Sequence, residues 1–138
     1  MPVEMAPPFI DSNVILYLTS GDARKAGRAE QLLHAGGVVS VQVLDEVAHV
    51  ARRKMAFTWP ETRLFLDSLR RLVDVKPVTQ EVHDLGLEIA ERYRYSIWDG
   101  MIVGAAISAG CDILLSEDLQ HGQVVEAALT IRNPFAAG

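Results

Sequence analysis

The sequence predicts an α/β fold, a doubly wound parallel sheet of about five short strands with helices on both faces. Short apolar runs alternate with longer segments of helical periodicity, which is the pattern of a parallel sheet covered by helices. With 138 residues, of which 49% are hydrophobic, the chain is long enough for one substantial core and short for two. We therefore expect a single domain over residues 1–138.

The elements can be assigned in order from periodicity and from start and stop signals. Apolar runs bounded by turn residues predict strands at 9–10, 38–41, 73–75, 111–115 and 129–131. Apolar positions at helical spacing predict helices at 14–18, 24–34, 42–53, 60–72, 80–93 and 95–109. Ser12 or Asn13 can cap the first helix, Pro60 suits the first position of the fourth, and Thr79 can cap the fifth.

The helix at 95–109 contains one carboxylate, Asp99, in an otherwise apolar segment that includes Trp98. The apolar side chains leave no polar face, so the helix is expected to be buried all round. Ser96 reads as its N-cap, with Asp99 at the spacing of a capping box. A buried carboxylate costs several kcal/mol unless the helix N-terminus, a basic partner or a bound cation offsets it. The alternative is that Asp99 only caps its own helix.

Three further acids are expected near Asp99. Asp11 and Asp118 follow predicted strands, and Glu46 lies one turn into the helix after another strand. In a parallel sheet all of these positions meet at the carboxyl edge, where open α/β sheets bind their ligands. No lysine or arginine lies at those element ends, so a hard cation such as Mg²⁺ or Mn²⁺ is the expected neutraliser. Such an ion would activate a water and stabilise a phosphoryl transition state.

The composition limits which cellular compartments and which binding partners are compatible with the chain. The net charge of −5 argues against a generally basic nucleic-acid-binding surface, but an acidic nuclease site remains compatible with it. The single cysteine, Cys111, excludes an internal disulfide framework and a cysteine-rich zinc site. The chain begins without the features of a secretory signal and has no apolar run of membrane-spanning length. We expect a cytoplasmic protein with no membrane partner.

Five motifs in order give the chain a family resemblance. They are FIDSNVILYL with Asp11, SVQVLDEVAHV with Glu46, SIWDGMIVGAA with Asp99, LLSEDLQHG with Asp118, and the closing RNPF. Each motif is weak alone, but four acids in this order and at these separations are specific. The chain resembles the PIN-domain ribonucleases, and among them the VapC-type toxins of type II toxin–antitoxin pairs. The resemblance extends over nearly the whole chain.

The resemblance implies a site, a reaction and partners. By resemblance Asp11, Glu46, Asp99 and Asp118 are the catalytic, metal-binding acids, with Asn13 and Ser116 in support and Glu117 as an additional acid. It implies Mg²⁺- or Mn²⁺-dependent endonucleolytic cleavage of RNA, a homodimer, and an antitoxin whose C-terminal segment blocks the site. Because phosphate contacts come from basic side chains, we expect RNA-backbone contacts from Arg24, Lys25, Arg28, Arg52, Arg53 and Lys54.

Two other classes of function stay open at this point. A phosphoacceptor or phosphatase-like module also gathers acids past strand ends, although the phosphatase-type motif needs a second aspartate where this chain has Asn13. A PIN-fold protein could also act as a catalytically silent binding partner. An assay of metal-dependent cleavage of single-stranded RNA separates the three.

Overall fold

The computed structural model describes residues 6–136, which form one six-stranded sheet with six α-helices. The ends of the predicted domain, residues 1–5 and 137–138, lie outside this range. The strands are β1 Phe9–Ile10, β2 Gly37–Ser40, β3 Val73–Lys76, β4 Ile113–Leu115, β5 Val124–Val125 and β6 Leu129–Arg132. The helices are α1 Ser12–Leu16, α2 Ala23–Ala35, α3 Val41–Arg53, α4 Trp59–Arg70, α5 Gln80–Tyr93 and α6 Ile97–Ser108, with a 3-10 turn at Tyr17–Thr19.

The strand order is β3-β2-β1-β4-β6-β5, and every pairing is parallel except that of β5 with β6. From β1 the chain winds outward through β2 to β3 and then returns to the other side of β1 as β4. Because parallel crossovers are right-handed, this reversal puts helices on opposite faces of the sheet. The predicted doubly wound fold is thus confirmed, and its switch point lies between β1 and β4.

The centre of the sheet is apolar on both faces because helices cover both. Phe9 and Ile10 of β1 are fully buried, and so are the flanking Val39 and Leu114. Backbone pairing joins Phe9 to Val38 on one side and to Leu114 on the other. A strand of only two residues holds its place here because both of its edges are paired. In the part of the chain that the structure describes, no helix is long and apolar enough to cross a membrane.

The structure corrects several element boundaries. A sixth strand, β5, escaped prediction because two valines with one exposed side chain give no periodic signal. Val41, predicted to end a strand, is the first residue of α3. Helix α4 begins at Trp59, so Pro60 is its second residue. The N-cap of α1 is Asp11, whose side chain accepts from the Ser12 amide, rather than Ser12 or Asn13.

Helix α6 is buried over most of its length but not all round, as had been expected. The segment 100–106 is buried, whereas Ile97 is 54% exposed and Trp98 is 68% exposed. The first turn of α6 lies at the edge of the sheet where the strands end, and Trp98 lines an open cleft there. The predicted N-cap is confirmed, since Ser96 Oγ accepts from the Asp99 amide at 3.1 Å.

Close packing of α5 against α6 fixes the start of α6. A Cβ added at Gly100 would lie 2.5 Å from the Gly86 carbonyl oxygen and 2.8 Å from the Ala90 Cβ. A Cβ at Gly86 would lie 3.0 Å from the Met101 Cα. The helix backbones therefore approach as closely as only glycine permits. Because Gly100 follows Asp99 directly, this contact also sets the position of that carboxylate.

We predict that Gly100→Ala lowers the free energy of unfolding by about 1–3 kcal/mol, because the added methyl group overpacks the contact between α5 and α6. Gly27→Ala is the matched control. Gly27 lies inside α2, and a Cβ there has no heavy atom within 4 Å. Alanine at position 27 should be neutral or stabilise by about 0.5–1 kcal/mol. Equal effects of the two substitutions in urea unfolding would contradict this account of the packing.

Candidate functional site

The first predicted acid, Asp11, lies at the switch point of the sheet, directly after β1. Its amide donates to the Leu115 carbonyl at 3.0 Å, which continues the pairing of β1 with β4 by one residue. Its carboxylate accepts from the Ser12 amide at 2.8 Å and from Ser116 Oγ at 2.9 Å. Only 5% of the residue is exposed. Asp11 is therefore held in one orientation by donors from α1 and from the loop after β4.

The surroundings of Asp11 disfavour its charge. Burial, together with the nearby charges of Glu46 and Asp99, raises the pKa of Asp11 to about 6, although the bonds from Ser116 and Ser12 act in the opposite direction. The desolvation of the carboxylate is the largest of these effects. At neutral pH the metal-free site thus holds an ionised carboxylate that its environment does not fully compensate.

Glu46 reaches the same region from α3. One of its carboxylate oxygens accepts from Ser12 Oγ at 3.0 Å, and the other accepts from Gln42 Nε2 at 3.4 Å. Gln42 Nε2 also donates to the Trp98 carbonyl at 3.0 Å. Ser12 and Gln42 thereby connect the acid on α3 to both α1 and α6.

Asp99 and Asp118 complete the predicted set. Burial raises the pKa of Asp99, and the charge of Asp118 adds to this effect. Asp118 is exposed, and its carboxylate accepts from Asn13 Nδ2 at 3.3 Å. Asn13 also donates to Ser116 Oγ at 3.3 Å and accepts from the Glu117 amide at 2.9 Å. Asn13 thus ties the loop after β4 to α1.

Two of the four acids, Glu46 and Asp118, line an open cleft of about 750 Å³. It is lined by Ser12, Asn13, Leu16, Gln42, Asp45, Glu46, His49, Val50, Trp98 and Asp118. Sequence reasoning did not assign Gln42, Asp45, His49 or Trp98 to the site. A signal was present for two of them, because Gln42 and His49 are four residues before and three residues after Glu46 and so share its helix face. Trp98 was taken as core because it stands in an apolar run.

The four acids fit a hard cation by their chemistry. All of their donor atoms are oxygens, and in residues 6–136 none of the four forms an ion pair with a lysine, arginine or histidine. Over the same residues, no three histidine, cysteine, aspartate or glutamate side chains are grouped as a ready-made metal site. The carboxylates other than that of Asp99 are instead hydrogen-bonded to Ser12, Gln42, Asn13 and Ser116. A cation would therefore have to draw the acids together.

Glu117 has a different partner from the other acids. Its carboxylate pairs with Lys25 Nζ at 2.7 Å and accepts from the Tyr17 hydroxyl. The bonds from Lys25 and Tyr17 lower the pKa of Glu117. A lysine thus reaches the loop after β4 from α2, which the spacing of basic residues in the sequence did not reveal. Glu117 helps to hold that loop rather than adding a free carboxylate to the cleft.

The six predicted RNA contacts divide by their environment. Lys25 is engaged by Glu117, and Arg28 Nε donates to the Pro134 carbonyl at 3.3 Å. Arg52 Nη1 donates to the Phe57 carbonyl at 2.7 Å. Arg24, Arg53 and Lys54 are exposed. Arg53, at the end of α3, lines a groove beside the cleft.

Comparison with known proteins identifies the family to which this arrangement belongs. A family model described as the PIN domain matches residues 9–126. Comparison with curated proteins gave no significant match.

Among solved structures, a toxin–antitoxin complex from Klebsiella pneumoniae aligns with a TM-score of 0.72 and 16% identity over 94% of this chain and 99% of that one. DNA-bound VapBC from Salmonella typhimurium aligns with a TM-score of 0.69 and 16% identity over the same shares of the two chains. Mycobacterium tuberculosis VapC20, described as a Sarcin-Ricin loop cleaving toxin, aligns with a TM-score of 0.64 and 22% identity over 80% and 90%. At these identities the likeness concerns the fold.

We predict that the metal-free protein becomes less stable as pH rises through 6. Because the folded-state pKa of Asp11, about 6, exceeds the ordinary aspartate value of 3.8, folding favours the protonated carboxyl. Its contribution is fully present below about pH 4 and is lost above about pH 6, a change of about 3 kcal/mol. Urea unfolding in EDTA gives the difference in free energy of unfolding between the wild type and Asp11→Asn, and this difference should change by about 2–3 kcal/mol between pH 4 and 7.5. If this difference in the free energy of unfolding does not change with pH, ionisation of Asp11 does not destabilise the folded protein.

Proposed function

Because the chain belongs to the PIN domain family, we propose that it is an Mg²⁺- or Mn²⁺-dependent endoribonuclease and the toxin of a type II toxin–antitoxin pair. The single observation behind this proposal is the buried Asp11 carboxylate, whose pKa of about 6 reflects its burial and the charges of Glu46 and Asp99. Its place at the switch point of an α/β sheet is where such folds bind ligands.

In this proposal Asp11, Glu46, Asp99 and Asp118 hold one or two cations. A bound ion would supply Lewis acidity toward the scissile phosphate and would lower the pKa of an attacking water. Ser116 and the Ser12 amide orient the Asp11 carboxylate through their hydrogen bonds. Ser12 Oγ orients Glu46, and Asn13 orients Asp118. In metal sites, hydrogen bonds of this kind fix the orientation of the ligands.

The comparisons support RNA as the substrate and a protein as the inhibitor. One similar fold is that of a toxin described as cleaving the Sarcin-Ricin loop, and others are toxin–antitoxin complexes. We propose that the antitoxin's C-terminal segment enters the cleft with an arginine or lysine, because no lysine or arginine among the described residues 6–136 forms an ion pair with the four acids. Affinity that does not weaken as salt rises would count against such a charged contact. The predicted homodimer and cytoplasmic location stay predictions, and analytical ultracentrifugation tests the first.

A catalytically silent binding protein is the second candidate. The observation in its favour is that, within residues 6–136, the acids are not grouped as a ready-made metal site. Under that reading the carboxylates serve only to pair with a basic partner. Metal-dependent cleavage of RNA separates the two candidates directly.

We predict that the purified chain cleaves single-stranded RNA with Mg²⁺ or Mn²⁺ and loses this activity in EDTA. Asp11→Asn and Asp99→Asn should each reduce kcat/KM by more than about 100-fold, the upper range for loss of residues that only support a metal's ligands. The double variant should lose much less than the product of the two single losses, because ligands of one ion act as a unit.

Asp45→Asn is the matched control, because Asp45 lines the same cleft but lies outside the four-acid pattern. Its kcat should stay near that of the wild type. Cleavage that survives exhaustive chelation would overturn the proposed metal dependence. If Asp45→Asn loses as much cleavage activity as Asp11→Asn and Asp99→Asn do, cleavage depends on the total charge of the cleft rather than on a specific set of metal ligands.

A further inference from the structure

An exposed tryptophan and an arginine form a flat platform beside the acidic cleft. The Arg52 guanidinium lies over the Trp59 ring at 4.2 Å, a cation–π distance, while its Nη1 donates to the Phe57 carbonyl at 2.7 Å. Trp59 is nevertheless 57% exposed. It is the first residue of α4, where Thr58 and Glu61 form a reciprocal capping box. Both halves of the platform are thus held in place while part of the indole surface remains open.

The platform belongs to a groove that is continuous with the cleft. The groove, of about 600 Å³, is lined by Asp45, Ala48, His49, Arg52, Arg53 and Trp59, and we name it the Arg–Trp groove. Asp45 and His49 line both the Arg–Trp groove and the cleft. Glu46 and Arg53 are seven residues apart on α3, which corresponds to about 10 Å along a helix axis. A chain that occupies the cleft can therefore extend along α3 into the groove.

We propose that the Arg–Trp groove binds the single-stranded RNA next to the scissile phosphate, with a base stacked on the platform of Trp59 and Arg52 and a phosphate near Arg53. This proposal rests on the proposed nuclease function and deepens it by naming where the substrate lies. An exposed aromatic ring flanked by cationic side chains is the combination that binds single strands with little sequence preference. A duplex fits less well because its bases are already stacked on one another.

The distribution of charge favours an RNA strand that extends from the cleft into the Arg–Trp groove. Asp45 lines both the cleft and the groove. The cleft adds two further acids, Glu46 and Asp118, which repel phosphates unless a cation is bound, whereas the groove adds two arginines. Arg53 is exposed, and Arg52 uses one N–H on Phe57 and so keeps others free to donate. The groove can thus hold a substrate strand before the acidic site is neutralised.

The test measures binding in EDTA, so that the result does not depend on catalysis. Fluorescence anisotropy compares a labelled oligouridine with an oligomer of the same length made of abasic ribose phosphates. Trp59→Ala should weaken oligouridine binding by about 5-fold or more, the lower end of the stacking contribution of one base. Trp59→Phe should restore part of the affinity. On the abasic oligomer Trp59→Ala should have no effect, while Arg53→Gln should weaken binding to both ligands.

Two controls keep the result specific. Leu64 is 67% exposed on the same helix, so Leu64→Ala removes a comparable apolar side chain outside the groove. Arg71→Gln removes an exposed positive charge elsewhere. Neither variant should change the affinity for either ligand, and thermal melting of each variant establishes that it is folded.

Several results would overturn the proposal. The proposal is wrong if Trp59→Ala binds oligouridine as tightly as the wild type does, or if it loses as much affinity for the abasic oligomer as for oligouridine. It is also wrong if the wild type binds neither ligand. If Trp59→Ala weakens only the complex with a protein inhibitor, the groove is a protein-binding surface and the RNA assignment is wrong. Base-dependent binding without any Mg²⁺-dependent cleavage would instead support the groove and refute the nuclease, so the two failures are distinguishable.

Discussion

The buried carboxylate of Asp11 is the constraint on which the rest of the site depends. It lies where β1 and β4 end side by side, and its backbone and side chain are both bonded to the segment 115–116. Burial and neighbouring acids raise its pKa to about 6, so its ionised form is destabilised when no cation is present. Folding thus places a negative charge where the hydrogen bonds from Ser12 and Ser116 compensate it only in part.

The fold brings the other acids to Asp11 by separate routes. The reversal of winding between β1 and β4 puts Asp11 and Asp118 on neighbouring connections. Glu46 arrives on the helix that follows β2, and Asp99 arrives on α6, whose start is set by glycine contacts with α5. The groups that donate hydrogen bonds to these carboxylates belong to the same helices and loops as the acids. Loss of one of these hydrogen bonds is therefore expected to move a carboxylate. Packing energy therefore maintains an arrangement that electrostatics alone would push apart.

The sheet could be predicted from the sequence because its strands are marked by local patterns. Apolar runs mark the strands, and residues after parallel strands meet at one edge. What could not be predicted depends on contacts between distant segments. Trp98 was taken as core because its neighbours are apolar, and Lys25 was taken as an RNA contact because nothing local shows that it pairs with Glu117. The platform of Arg52 and Trp59 is a contact between two helices across a turn, and hydrophobic periodicity in the sequence does not predict such a contact.

The linkage between metal binding and Asp11 ionisation tests the central claim most directly. Calorimetric titration of the protein with Mn²⁺, in two buffers of different ionisation enthalpy, counts the protons released per bound ion. With a pKa of about 6, Asp11 should release about half a proton at pH 6 and almost none above about pH 8. The Asp11→Asn protein should lack this pH-dependent release. Equal proton release by both proteins at pH 6, or none by the wild type, would contradict the account of Asp11 as the buried carboxylate that a cation neutralises.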